Sequence, residues 1–176
     1  MAKANDLHFL YDCGIRKGLL NAREYYPRQK SLDGYNILIS GGNGRGKTTA
    51  AAALLMHDID RRGHDLHNPS LFRFVPDLLT DFQASFDRME SDTEKGLLWE
   101  LNRPDLLVLD DYGAEIQSRY TQRIFLQILE NRLGDRKRTI VTTNLNLAEI
   151  PDQRVASRLS QFKRLRMTGP DWRGTK

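Results

Sequence analysis

The sequence predicts an α/β fold of three layers, with five short and mainly parallel strands between helices packed on both faces. Three observations carry this. Short apolar runs alternate with helical patterns along the chain, and most of the runs are continuously apolar, as strands buried on both faces require. A glycine loop joins the first run to an alanine-rich helix. With 176 residues, 39% of them hydrophobic and 28% charged, the chain has the composition of one folded domain, 1–176, and not of a disordered or membrane-embedded one.

The start segment, 4–26, places Leu7, Leu10, Tyr11, Ile15, Leu19 and Leu20 at loose helical spacing and stops before Pro27, which the residue ahead of it cannot follow as helix. Residues 35–56 read as strand (Tyr35 to Ser40), glycine loop (Gly41 to Thr49) and helix (Ala50 to Met56). Four further strands are expected at Leu71 to Val75, Leu106 to Asp110, Thr139 to Thr143 and Arg164 to Thr168. Helical patterns separate them at Pro76 to Met89, Ser118 to Leu133 and Gln153 to Leu159. No repeat, linker or low-complexity tract divides the chain.

No apolar stretch is long enough to span a membrane, and MAKANDLHFLYDCG lacks the pattern of a secretory signal, so the expected compartment is the cytoplasm and no membrane partner is expected. The single cysteine, Cys13, reads as a small buried hydrophobe, since one thiol forms no internal disulfide. Net charge is +4, but residues 151–176 hold seven Lys and Arg against two Asp, leaving the preceding 150 residues at −1. Basic character is therefore concentrated at one end, where it suits phosphate, nucleic acid or an acidic surface. His64 and His67 lack the cysteines or carboxylates that would complete a zinc site.

Gly41 to Thr48 fits G-x-x-x-x-G-K-[ST], a loop whose backbone N–H groups curl around an anion at the start of a helix. Gly42, Asn43, Gly44, Arg45, Gly46, Lys47, Thr48 and Thr49 are thus the expected contacts to ATP or ADP. Lys47 reaches the β- and γ-phosphates, and Thr48 ligates Mg2+. Leu106 to Asp111 is an aliphatic strand ending in two carboxylates. Asp110 is placed to hold the Mg2+, and Asp111 to orient or deprotonate the attacking water. An Asp after a strand also serves as a helix N-cap. Asn144 closes the 139–144 strand, where it either faces the γ-phosphate or makes a turn before Leu145.

These residues resemble the AAA+ ATPases of the bacterial replicative-helicase loader group (DnaC/DnaI type), with the IstB transposition ATPases close behind. The resemblance rests on Cys13-Gly14-Ile15, the GGNGRGKT loop, Phe74 to Leu79, Leu107 to Glu115, Thr142 to Asn146 and Arg154 to Leu159, and spans nearly the whole chain. It implies an adenine-binding start segment using Gly14 and Ile15, a Walker B strand at 106–111 and a sensor-1 residue at Asn144. It further implies that Arg158, with Arg154 as the alternate, is an arginine finger acting in a neighbouring subunit's site. Within 153–173, Asp-Trp-Arg is similar to the family's sensor-2 motif and implicates Arg173. The implied function is an ATP-hydrolysing replication factor that assembles with itself in a spiral or ring, binds single-stranded DNA and loads a hexameric replicative helicase. The alternatives are an IstB-like transposition helper and an oligomerisation switch with negligible hydrolysis. For DNA, Ser85 and Phe86 resemble a contact stretch of the loaders, although Phe86 also falls four positions after Phe82 on the apolar face, which suits core packing. Three departures from the family are expected: neither the separate N-terminal domain that grips the helicase nor most of the small helical lid is recognised in these residues, and Asp111 stands where most AAA+ enzymes have Glu.

Overall fold

A computed structural model describes residues 7–25, 34–62, 70–87, 91–113 and 118–171. The chain runs α1 (Leu7–Asp12), a 3-10 segment (Lys17–Tyr25), β1 (Ile37–Ser40), α2 (Lys47–Arg62), β2 (Ser70–Phe74), α3 (Val75–Asp87) and α4 (Ser91–Asn102). It continues through β3 (Leu106–Tyr112), α5 (Arg119–Gly134), β4 (Arg138–Thr143), a 3-10 turn (Leu147–Glu149), α6 (Gln153–Ser160) and β5 (Lys163–Arg166). The five strands form one sheet in the order β2-β3-β4-β1-β5, and every pairing is parallel.

Strand alternation divides the core into two layers. Ile37, Ile39, Leu106 and Val108 pack with α2 and the start segment on one face, while Leu38, Leu107, Leu109 and Val141 pack with α3 to α6 on the other. Both faces are covered, which is why the strand sequences are continuously apolar. Among the described residues, no helix is long and apolar enough to cross a membrane.

The order has a functional consequence, because β4 lies between β1 and β3. Parallel strands put all their carboxyl ends on one edge, so the glycine loop after β1, the carboxylates of β3 and Asn144 after β4 converge there. The opposite edge is pinned by Arg132, whose buried guanidinium donates to the carbonyls of Leu101 (2.7 Å), Pro104 (3.0 Å) and Arg138 (2.6 Å) and to the Thr139 hydroxyl (2.9 Å). Nearby, buried Asp58 accepts from Arg138 (2.7 and 3.0 Å) and Arg62 (2.8 Å).

Three elements differ from the sequence expectation. The start segment is not one helix: it breaks at Cys13-Gly14, where Gly14 takes φ +81° and a Cβ would lie 2.1 Å from the Phe72 carbonyl oxygen. Only glycine tolerates both the left-handed backbone and that approach. Helix α4 was not expected, because its apolar residues Leu97, Leu98, Trp99 and Leu101 are bunched instead of spread at helical spacing. Strand β3 extends to Tyr112, beyond the expected end at Asp110.

Candidate nucleotide-binding site

Strand β1 ends at Ser40 and α2 begins at Lys47, so residues 41–46 form a tight loop over the N-terminus of a 16-residue helix. Gly44 has φ +68°, and the Asp171 carboxylate lies so close that a Cβ would meet it at 1.6 Å. Alternating backbone signs of this kind turn successive N–H groups toward one concavity, which with the helix dipole favours an anion. The loop opens into a cavity of about 680 Å3 whose lining includes Asn43 to Thr49, Asp110, Asp111 and Asn144.

Lys47 is only 7% exposed overall, and its ammonium lies at this cavity. Its Nζ donates to the Gly42 carbonyl at 2.9 Å and to Asn144 Oδ1. Asn144 in turn donates from Nδ2 to Asp111 Oδ1 at 3.3 Å. One amide side chain therefore connects the cation of the loop with the carboxylate of β3.

Consecutive strand residues point to opposite faces, yet Asp110 and Asp111 both line the cavity. The pairing explains this. Leu109 pairs with Val141 and Tyr112 with Thr143, so Asp110 and Asp111 together oppose the single residue Thr142 in a β-bulge. Asp111 takes φ +63° there, a left-handed conformation that Asp tolerates better than most residues. The bulge places both carboxylates on one side.

Asp110 is 3% exposed, and burial raises its pKa above the ordinary carboxylate value. Hydrogen bonds from Thr142 and Thr48 work against that rise, the charge of Asp111 adds to it, and Lys47 opposes it. The Thr48 hydroxyl and the Asp110 carboxylate are thus in direct contact, a hard-oxygen pair suited to Mg2+. A divalent cation between them would offset the burial of the charge.

The start segment meets the cavity at positions other than those expected. Ile15 is 1% exposed and packs in the core with Cys13 and Phe72, while Gly14 borders a smaller recess. Arg16 and Leu19 line the main cavity instead, together with Phe72 and Phe74. The Arg16 guanidinium lies 4.7 Å from the Phe74 ring centroid and donates to Asp77 Oδ2 at 2.6 Å. Sequence reading missed Arg16, although it directly follows Cys13-Gly14-Ile15. It also missed Thr142, whose role depends on a strand pairing that no local pattern reveals.

Other expected site residues lie away from this cavity. Arg158, on α6, donates from Nη2 to Glu130 Oε1 at 2.9 Å and does not line its own chain's cavity. Arg154 is exposed and bonds to Asp152, the N-cap of α6. Ser85 is 2% exposed on α3, which removes its hydroxyl from the reach of a DNA phosphate in this arrangement and corrects that expectation. The side chain of Phe86, all of Arg173, and His64 and His67 lie outside the described residues.

Residues 31–157 match the family model described as IstB-like ATP binding protein. The chain belongs to this family. As an IstB-like ATP-binding protein it is similar to the replicative helicase loader DnaC of Escherichia coli (strain K12), with 31% identity over 139 residues, covering 78% of this chain and 53% of that protein. The chain thus spans about half the length of the curated relatives it matches. Among solved structures, the DnaC helicase loader superposes with a TM-score of 0.59 at 27% identity, over 86% of this chain and 88% of that one. AMPPCP-bound DnaA from Aquifex aeolicus gives a TM-score of 0.63 at 22% identity, over 96% and 47% of the two chains, and shows that the AAA+ P-loop fold is shared. The IstB-like fold carries its glycine loop, paired carboxylates and Asn144 on one edge of the sheet.

Proposed function

We propose that this chain is the ATPase module of a DNA-replication factor that assembles with itself on single-stranded DNA and loads or remodels a hexameric replicative helicase. The observation that carries the hydrolytic reading is the linkage Lys47–Asn144–Asp111, which ties a phosphate-binding cation to a carboxylate placed for water. The similarity to the helicase loader DnaC supports the replication role.

In this reading the loop amides and Lys47 bind the triphosphate, and Lys47 gives up its contact with Asn144 Oδ1 to face the β- and γ-phosphates. Thr48 and Asp110 would hold Mg2+, which would supply neutralisation of the phosphate charge. Asp111 accepts a proton from or orients the attacking water, and Asn144 fixes its position relative to the γ-phosphate. Arg158 completes the site of a neighbouring subunit, stabilising charge on the transferred phosphoryl. Entering that site requires it to release Glu130.

ATP hydrolysis measured over a range of protein concentrations, with and without single-stranded DNA, tests this. A rate per subunit that rises with both supports sites completed between subunits; a rate independent of both overturns assembly-dependent hydrolysis. The family description favours a second reading, a transposition helper of the IstB kind, which is distinguished by stimulation with duplex instead of single-stranded DNA. A rate near zero in the wild type and in Asp111→Asn alike marks the third reading, a switch in which ATP only sets the oligomeric state.

A further inference from the structure

We infer that Thr142 is a positioning residue for hydrolysis, holding Asp110 and Asp111 in their working geometry through one hydroxyl. The inference rests on the ATPase reading for its rate measurement, but not for its metal-binding measurement.

Between the pairs Leu109–Val141 and Tyr112–Thr143, strand β3 advances three residues while β4 advances two. The residue opposite the extra one is Thr142. A bulge deprives a backbone N–H of its ladder partner, and a buried N–H needs another acceptor. The Asp111 N–H finds it in Thr142 Oγ1, at 2.9 Å. The same hydroxyl donates its only proton to Asp110 Oδ1, at 2.7 Å. Because the oxygen accepts from Asp111 and donates to Asp110, its proton direction is fixed and one atom sets both carboxylate positions. Thr142 is 1% exposed, so no water substitutes for either bond without rearrangement. A side chain of valine shape would fill the same volume and leave Asp111 N–H without its acceptor and Asp110 with one bond fewer. Loss of an outer partner of this kind typically costs 10- to 100-fold in metal affinity or rate, or about 30-fold here.

The test compares wild type, Thr142→Val, Thr142→Ala and Thr142→Ser. It measures single-turnover ATP hydrolysis, the affinity for a fluorescent ADP analogue in EDTA, and the Mg2+ midpoint for the gain in that affinity. Thr142→Val and Thr142→Ala should lose about 30-fold in rate and raise the Mg2+ midpoint severalfold, with affinity in EDTA within twofold of wild type. Thr142→Ser, which keeps the hydroxyl, should recover both to within about threefold. Thermal melting identifies any variant that does not fold, and the alanine variant then stands for valine. Wild-type rate and Mg2+ midpoint in the folded valine or alanine variant overturn the inference. So does an equal loss in the serine variant, which would make the role one of packing. If the wild type itself does not hydrolyse ATP, the ATPase reading fails, while the Mg2+ midpoint still decides the role of Thr142.

Discussion

Lys47 and Asn144, 97 positions apart in the chain, are joined by a hydrogen bond from the lysine ammonium to the asparagine Oδ1 at the carboxyl edge of the sheet. Strand β4 lies between β1 and β3, so this bond, with the one from Asn144 to Asp111, spans the width of the candidate site. There the ammonium also donates to the Gly42 carbonyl, at 2.9 Å. A phosphate oxygen is a stronger, charge-assisted acceptor for that ammonium than a carbonyl or amide oxygen.

Replacing that ammonium should therefore act on binding before anything else. Lys47→Ala is expected to weaken ATP binding by about a hundredfold, the scale of a charge-assisted hydrogen bond of roughly 3 kcal/mol. Equilibrium titration with a fluorescent nucleotide checks it, and wild-type affinity would refute the loop assignment.

Asp111→Asn should separate binding from chemistry. Asparagine accepts the left-handed backbone that Asp111 adopts at φ +63°, so the bulge and the fold are retained. The loss of a base or water-orienting carboxylate should lower kcat by about a hundredfold or more while leaving nucleotide affinity near wild type. Asp111→Glu should not raise the rate, because the longer residue is poorly suited to that conformation.

For Arg158 the expectation concerns pairs of subunits. Arg158→Ala should bind ATP normally and lose most of the assembly-dependent turnover, by about a thousandfold where the finger is fully engaged. Mixing it with Lys47→Ala should restore activity, since each variant supplies what the other lacks. If Arg154→Ala behaves this way and Arg158→Ala does not, the finger lies one turn earlier on α6.

Stability at low pH should depend on Asp58. Burial alone would raise its pKa, but hydrogen bonds and charges from Arg138 and Arg62 outweigh it and hold the carboxyl below its ordinary value of 3.8. The unfolded chain then takes up the proton first, so this contribution is complete above that value and is lost as pH falls through the lower folded one. Asp58→Asn should cost about 3 kcal/mol near neutrality, because it leaves two arginines short of a partner. Chemical denaturation across pH should show that gap narrowing below about pH 4.

Much of this site is written locally. The loop from Gly41 to Thr48, the aliphatic run into Asp110 and the strand ending at Asn144 are each contiguous, and the chemistry of each follows from its own residues. What escaped is relational. The break at Gly14 comes from the nearness of Phe72, 58 positions away, and Arg16 reaches the cavity because of that break. The partnership of Thr142 with the Asp110 carboxylate and the Asp111 backbone N–H depends on register between β3 and β4, which neither strand encodes alone. Ser85 illustrates the reverse: its short motif suggested a surface role, but the turn of α3 on which it sits faces inward.

Arg132 sets a timescale as well as a position. Its four hydrogen-bond acceptors belong to the end of α4, the turn leading into β3 and the start of β4, so none of these segments separates from the others without stranding a guanidinium charge in the core. Amide protons of Thr139, Ile140 and Leu107 should accordingly exchange with solvent only when the whole molecule unfolds, whereas those of the glycine loop exchange through local opening. Ligand-dependent slowing of exchange would then be confined to the carboxyl edge, with the far edge serving as an internal clock against which it is read.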